Sequence, residues 1–408
     1  MKVASIGETD RGGAGLSALK LHRELLAQGV DSTFYVNRKT VDDHRIIRIP
    51  NAREGKDNSF RIGQYFPAEG DIPFTTGLTC KDEDFLEHVW DTHDIVLLRW
   101  SSVSVSDLTV SRWSHRSKPL VWCLSDMAPL TGGCHYSMGC DRYQTSCSPC
   151  PRIKPGKIQL PRLVINRRKR LWKNITFVSP SRWLAAIAAE SSIARNKDIH
   201  IIRTGVELSL FRPYNKIEEK LQLGLDPGKP LLLFGAASVG DTRKGFRFLQ
   251  QLVNLLNQHH DLRNKYNVLL VGAGSSRSEQ LDCAIVETNH ISSRRDMAKL
   301  YSAADITVLP YVEDNLPNVC LESIACGTPV VAFDIGGIPD VIIPGKNGQL
   351  ARAFDVWDLA NKVVTCLREK TPTVDIRRWA KANIDIKDQA ASYIDLFKES
   401  LDRSAKHG

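Results

Sequence analysis

Two carboxylates eight residues apart, Asp314 and Glu322, sit in the stretch D-N-L-P-N-V-C-L-E-S-I-A-C-G-T-P-V-V-A-F. Pro317 suits a first helical turn, Val319 to Ala325 supplies an apolar face, Gly327 closes the helix, and Pro329 to Phe333 reads as a buried strand. Amides at such a helix start, near Asn318 and Val319, suit a phosphate, and Glu322 two turns deeper suits the hydroxyls of a ribose. A buried helix also carries a lone Glu for solubility or capping.

Three glycine-rich loops are further candidates for holding phosphate. Gly235 to Gly245 follows the apolar run Leu231 to Phe234 and has the glycine spacing of a P-loop, but Asp241 stands where that loop needs lysine. What remains is Arg243-Lys244, two cations at a strand-to-helix turn, suited to a diphosphate leaving group whose charge grows as its bond breaks; such a pair is otherwise solvated surface. Gly12-Gly13-Ala14-Gly15 matches a dinucleotide fingerprint in letters. Its glycines come five or more residues after the strand Val3 to Ile6, and the next strand ends at Asn37 with no acidic ribose ligand, which argues against nicotinamide and leaves sugar or phosphate contact. Gly272-Ala273-Gly274 reads as a tight turn. Asp126, after the run Leu120 to Leu124, stands where parallel sheets place their chemistry, or caps a turn.

The elements that must position these residues form two series. Val3 to Ile6, the periodic Leu16 to Gln28 and Ser32 to Val36 make a βαβ unit, continued by Ile95 to Leu98, a helix over Val105 to His115, and Leu120 to Leu124. A second series runs through Leu231, Asn267, Asp305 and Pro329, with a helix over Phe246 to Leu256. The pattern predicts an α/β chain of two doubly wound, Rossmann-like lobes facing across a cleft: 1–210 on the acceptor side, 211–386 for nucleotide, and a terminal helix over 387–408 that packs back on the first lobe.

The 408 residues are 42% hydrophobic and carry a net charge of +9, which describes a globular chain and excludes disorder. No apolar run reaches the roughly 20 residues of a membrane span, and the chain opens on a strand, so a cytoplasmic protein is expected. Nine basic residues and no acidic one lie between Arg152 and Lys173, interleaved with Ile158, Leu163 and Leu171. This segment suggests peripheral attachment to an anionic membrane surface, the alternative being a solvated helix face. No signature of nucleic-acid binding accompanies the charge. Asp82-Glu83-Asp84 opens a helix and reads as structural.

Cys134, Cys140, Cys147 and Cys150 cluster in one loop, 134–150, that ends in C-x-x-C. Four thiolates there can enclose a structural zinc ion; two disulfides, free thiols or an iron–sulfur cluster are the alternatives. His135, beside the first cysteine, would line the acceptor side or pack the loop.

Taken together, Gly12-Gly13, Ser179-Pro-Ser-Arg-Trp183, Thr204-Gly-Val-Glu-Leu-Ser-Leu-Phe-Arg-Pro213, and Arg243-Lys244 with Asp314 and Glu322 resemble the retaining family 4 glycosyltransferases of the GT-B fold. The cysteine loop looks like that of a subgroup found among bacterial exopolysaccharide glycosyltransferases. The resemblance implies transfer of a hexose from a nucleotide diphosphate sugar, of UDP or GDP type, to a saccharide or lipid-linked saccharide acceptor, in cell-surface polysaccharide synthesis. It implies that Lys244 and Arg243 bind the diphosphate, Glu322 the ribose, backbone around Ile291 the base, and Asn315, Leu316, Pro317, Asn318 and Val319 the phosphate and sugar. Asp314 and Asp126 would stand near the reacting sugar, Gly12 and Gly13 would belong to the donor site, and the chemistry would need no metal. Two departures stand out: Asp314 replaces the common Glu, and Ser125-Asp126 replaces a common His-Asp. The alternatives are a nucleotide-sugar epimerase of the same fold and a zinc-clipped, non-catalytic binding module.

Overall fold

The computed structural model describes residues 1–50, 73–77, 82–101, 104–154, 156–238, 241–259, 262, 265–273, 281, 283–288, 291 and 293–407. The chain divides into two compact units, Met1–Thr204 together with Ile386–Gly408, and Gly205–Asp385.

In the first unit, the parallel strands β1 (Lys2–Thr9), β2 (Asp31–Arg38), β3 (Ile46–Arg48), β4 (Ile95–Arg99), β5 (Leu120–Cys123), β6 (Thr176–Ser179) and β7 (Ile199–Ile201) lie in the order β3-β2-β1-β4-β5-β6-β7. Helices α1 (Gly12–Ala27), α2 (Glu83–Thr92), α3 (Asp107–Ser114), α4 (Leu160–Leu171) and α5 (Arg182–Glu190) connect them. The central strands read as unbroken apolar runs because both faces are covered. On one face Trp90 and Trp113 stack at 5.1 Å beside Leu98, Trp122 and Phe177. Asp82 caps α2 by accepting from Phe85 N at 3.0 Å, the structural use expected of that acidic triplet.

The second unit contains α6 (Lys216–Gln222), β8 (Leu231–Ser238), α7 (Phe246–Gln258), β9 (Asn267–Ala273), β10 (Ala284–Thr288), α8 (Arg294–Ala303), β11 (Ile306–Leu309), α9 (Asn318–Ala325), β12 (Val330–Phe333), β13 (Gly348–Ala351), α10 (Val356–Glu369) and α11 (Thr373–Asn383). Its strands are parallel, in the order β10-β9-β8-β11-β12-β13. The final helix, α12 (Ile386–His407), belongs to the first unit: Ala390, Tyr393, Leu396 and Phe397 share a core with Leu21, Leu25, Ile95 and Leu97.

The change of unit falls after Thr204, not near 210. Val206 bridges to Asp385, and Leu208 and Phe211 are buried in the second core, so T-G-V-E-L-S-L-F is already second-unit structure. Two strands also run longer than expected. β1 continues through Gly7 to Thr9, so the glycines at 12 and 13 open α1 just past the strand; β9 includes Gly272 and Ala273, and Gly274 lies outside the described residues.

Candidate active site

Strand order reverses between β8 and β11, and ligands of open α/β sheets bind outside the carboxyl ends of strands at such a point. The loops leaving these strands are tied together. Asp241 accepts from Arg243 N at 3.0 Å and starts a single 3-10 turn, Thr242–Lys244, which ends at Gly245 with φ of 69°. A Cβ there would stand 1.8 Å from Pro310 O, so only glycine lets the turn lie against the end of β11. Val312 N donates to Arg243 O at 2.7 Å, and Arg243 Nη1 donates to Glu313 O at 3.3 Å.

This stitching brings Lys244 Nζ to 2.6 Å from Asp314 Oδ2 and 4.1 Å above the Tyr311 ring. Burial opposes the Lys244 charge, yet Asp314 and Tyr311 outweigh it and hold its pKa above the usual lysine value. Burial pushes the Tyr311 hydroxyl up to about 12, and that hydroxyl donates to Gly235 O at 2.5 Å. Arg243 is turned the other way, onto Asp241 Oδ2 at 2.6 Å. The lysine is therefore the cation presented with Asp314, and the arginine braces the turn.

Asp314, Asn315 and Leu316 are buried in the loop that enters α9, and Pro317 occupies the N-cap, one residue before the first turn expected for it. Gly235 passes close beside the helix start, since a Cβ on it would lie 3.6 Å from Val319 Cγ1. By helix geometry the amides of Asn318 and Val319 project from that tip. Glu322 is half-buried on the next turn, and one of its oxygens accepts from Tyr301 OH at 3.2 Å, which fixes the carboxylate's orientation. Behind the loop, Gly337 N donates to Asp314 O at 3.3 Å, and a Cβ on Gly336 would come within 1.9 Å of that oxygen. Ile291 is half-buried against the second core.

A second constellation lies in the first unit, at the carboxyl end of β5. Asp126 Oδ1 accepts from Ala128 N at 2.9 Å, and Asp126 Oδ2 meets His135 Nδ1 at 2.6 Å and Trp100 Nε1 at 2.9 Å. His135 Nε2 is 3.2 Å from Thr75 Oγ1, so both ring nitrogens are engaged, and the residue is only 2% exposed. The imidazole absent at position 125 thus reaches Asp126 from nine residues downstream. Trp100 holds φ of 31°, a left-handed backbone that a bulky side chain rarely adopts and that costs roughly 1–3 kcal/mol. Sequence reasoning missed Trp100, Tyr301 and Tyr311. Trp100 directly follows β4 and Tyr311 stands two residues past β11, strands that flank the reversals of strand order, a signal that could have found them; Tyr301 lies in the last turn of α8 and leaves none. Gly12 and Gly13 are exposed at the tip of α1 in this unit.

The basic segment is divided in use. Arg167 and Arg168 both pair with buried Asp107, and Arg168 also donates to Ala128 O and Thr131 O at 2.5 and 3.1 Å, fastening the loop after Asp126. Arg162, Leu163, Asn166, Lys169 and Arg170 remain exposed along one face of α4.

Cys134, Cys140, Cys147 and Cys150 are free thiols that line one cavity of about 160 Å³. Gly132 N donates to Cys147 Sγ at 3.3 Å, and Arg152 Nη1 lies 3.6 Å from Cys134 Sγ. Burial pushes the Cys134 and Cys147 thiols up to about 11 and 12. Among the described residues no three His, Cys, Asp or Glu side chains are already gathered closely enough to hold a metal ion. No helix of the described residues is long and apolar enough to cross a membrane.

Residues 229–369 match the family model described as glycosyl transferases group 1. The chain is 30% identical over 381 residues to the D-inositol 3-phosphate glycosyltransferase of Nocardiopsis dassonvillei, covering 89% of this chain and 83% of that protein. In fold it is similar to sucrose-phosphate synthase of Thermosynechococcus elongatus, with a TM-score of 0.71 at 19% identity over 98% of both chains. It is also similar to Anabaena HepE in complex with UDP and glucose, with a TM-score of 0.66 at 16% identity over 98% of this chain and 100% of that one. With two parallel-sheet units of this topology and a relative of that identity along most of its length, the chain belongs to the glycosyl transferases group 1 family and is a glycosyltransferase of the GT-B fold.

Proposed function

We propose that the chain moves a hexose, with retention of anomeric configuration, from a nucleotide diphosphate sugar to a saccharide acceptor carried on a lipid. The observation that carries this reading is the Lys244–Asp314 pair beside the α9 tip, with Glu322 on the following turn. Lys244 and the tip amides neutralise the diphosphate as it departs, Glu322 holds the ribose, and Asp314 lies beside the sugar. The C1–O bond to phosphate breaks, the acceptor oxygen bonds C1 on the same face, and its proton passes to the departing phosphate oxygen. Lysine and helix-tip amides supply the charge that a divalent ion supplies in other transferases, so no metal is needed for the chemistry. In the first unit, Asp126, oriented by His135 and Trp100, is the side chain to which we assign a role in the reaction. UDP and glucose bound to HepE support a uridine nucleotide.

The exposed face of α4, basic with Leu163 among the cations, supports peripheral attachment to anionic lipid from the cytoplasmic side, in cell-surface polysaccharide synthesis. The thiol cavity supports a structural zinc ion, drawing in Cys134, Cys140, Cys147 and Cys150. Metal analysis of protein purified without oxygen tests it, and a metal-free, folded chain with four titratable loop thiols would remove zinc.

Calorimetric titration with UDP, GDP and ADP, followed by transfer assays on Glu322→Ala, tests the main reading. UDP should bind best, and Glu322→Ala should lose transfer with the fold intact. Unaltered transfer by Glu322→Ala would refute the assignment, and donor isomerisation without an acceptor would indicate an epimerase.

A further inference from the structure

At the amino ends of β5, β6 and β7, the first unit contains a cavity of about 520 Å³, within the range of small-ligand sites. β5 spans four residues, roughly 13 Å, so the cavity lies at the far end of the sheet from Asp126 and His135. Its walls are the turn after α3, the segment joining α4 to β6, the segment joining α5 to β7, and the last turns of α12. Arg116, Lys118, Lys173, Lys197 and Arg403 line it, against the single carboxylate of Asp198.

Two of these cations are already answered. Arg403 meets Asp198 at 2.7 Å, and Arg116 meets Glu87 at 3.0 Å. The three lysines differ: among the described residues none has a carboxylate within ion-pair distance. Lys197 Nζ donates only to backbone carbonyls, Trp172 O at 3.1 Å and Lys173 O at 2.7 Å, and Lys118 Nζ donates to Trp90 O. Burial, and then the neighbouring Lys173 charge, lowers the pKa of Lys197; burial also lowers that of Lys118, against the opposing pull of Asp91 and Asp94. Half-burying Lys197 beside the Lys173 charge, with no carboxylate within ion-pair distance, is unfavourable, and an anion seated between these two and Lys118 would relieve both the desolvation and the repulsion. Asn174, Asn196, Ser400 and Ser404 add neutral hydrogen-bonding groups to the same wall.

We propose that this pocket is a second anion site, remote from sugar transfer, that takes a phosphate- or diphosphate-bearing ligand. The three lysines supply charge-assisted hydrogen bonds to the phosphate oxygens, and the serine and asparagine side chains complete its shell. The phosphate belongs either to a soluble compound or to a lipid headgroup, since Lys173 directly follows the exposed basic face of α4. The proposal stands on the first unit alone and does not depend on the donor site in the second.

The test is calorimetric titration of the full chain with inorganic pyrophosphate, for the wild type, Lys173→Glu and Lys118→Gln/Lys197→Gln. Pyrophosphate affinity at this site should fall at least tenfold in both variants, while UDP binding stays unchanged. Lys173 is exposed, so its reversal leaves the fold intact even if the change at the two half-buried lysines does not. Pyrophosphate binding insensitive to Lys173→Glu would overturn the proposal, whether or not the donor site behaves as expected. Sedimentation with phosphatidylcholine vesicles, with and without phosphatidylinositol 4-phosphate, then identifies the source. Retention on phosphoinositide vesicles that Lys118→Gln/Lys197→Gln abolishes assigns the phosphate to a lipid; retention unchanged by that variant, alongside lost pyrophosphate binding, assigns it to a soluble compound.

Discussion

Lys244 Nζ and Asp314 Oδ2 stand 2.6 Å apart although 70 residues separate them in the chain. The contact joins the loops that leave β8 and β11, and Asp314 is only 7% exposed. Removing the lysine alone therefore strands a buried carboxylate, at a cost of roughly 3–5 kcal/mol. Lys244→Ala should lose both donor binding and stability, whereas Lys244→Ala/Asp314→Asn should recover stability without recovering transfer. Urea denaturation beside donor titration separates the two effects. Recovery of transfer in the double variant would show that Lys244 serves only to neutralise Asp314.

The turn that carries Lys244 depends on Gly245. Alanine there must adopt a left-handed backbone, costing roughly 1–2 kcal/mol, and must push Pro310 O away, adding roughly 1–3 kcal/mol of overpacking. Gly245→Ala should lower second-unit stability by about 2–5 kcal/mol in denaturant titration and weaken donor binding with it. Stability within 0.5 kcal/mol or so of wild type would mean that the turn relaxes freely, contrary to the usual cost of such strain.

Why the Lys244–Asp314 contact beside α9 was legible in sequence follows from these same residues. Strand, cation pair, helix tip and acidic partner are each local patterns, and parallel βαβ connections leave few ways to assemble them. The first-unit site was less legible because its geometry is not local. His135 reads as a neighbour of cysteines, and only the loop's return path carries its ring to Asp126. Likewise Arg167 and Arg168 read as surface charge because Asp107, their partner, lies sixty positions earlier. Strand ends were misjudged where Gly7, Glu8 and Thr9 interrupt the apolar run, although β1 pairs with β2 as far as Thr9.

The Asp126–His135–Trp100 cluster makes a second activity prediction. His135→Ala should reduce transfer about 10- to 100-fold and leave UDP affinity unchanged, because the ring is in the first unit and the nucleotide contacts proposed are in the second. Asp126→Asn should cost as much, and the pair together little more than either alone, as groups acting as a unit are not additive. Steady-state kinetics on the three variants decide it: additive losses would mean that the two side chains contribute separately.

His22 provides the pH test. It is 1% exposed, its Nδ1 lies 2.8 Å from Ser32 Oγ, and among the described residues its Nε2 has no hydrogen-bond partner, so protonation would place a charge in the core that Asp43 offsets only in part. Burial lowers its pKa from 6.5 to about 4. The unfolded chain therefore binds a proton between pH 6.5 and 4 that the folded chain refuses, and stability must fall as the pH drops through that window. At about 1.36 kcal/mol per unit, the loss is on the order of 3 kcal/mol. Denaturant titrations of the wild type and His22→Leu at intervals from pH 7 to 4 isolate this contribution as a difference in slope, whatever the baseline stability of the variant. Parallel slopes would mean that His22 takes up its proton in the folded core as readily as in the unfolded chain, and the burial argument for this residue would fail.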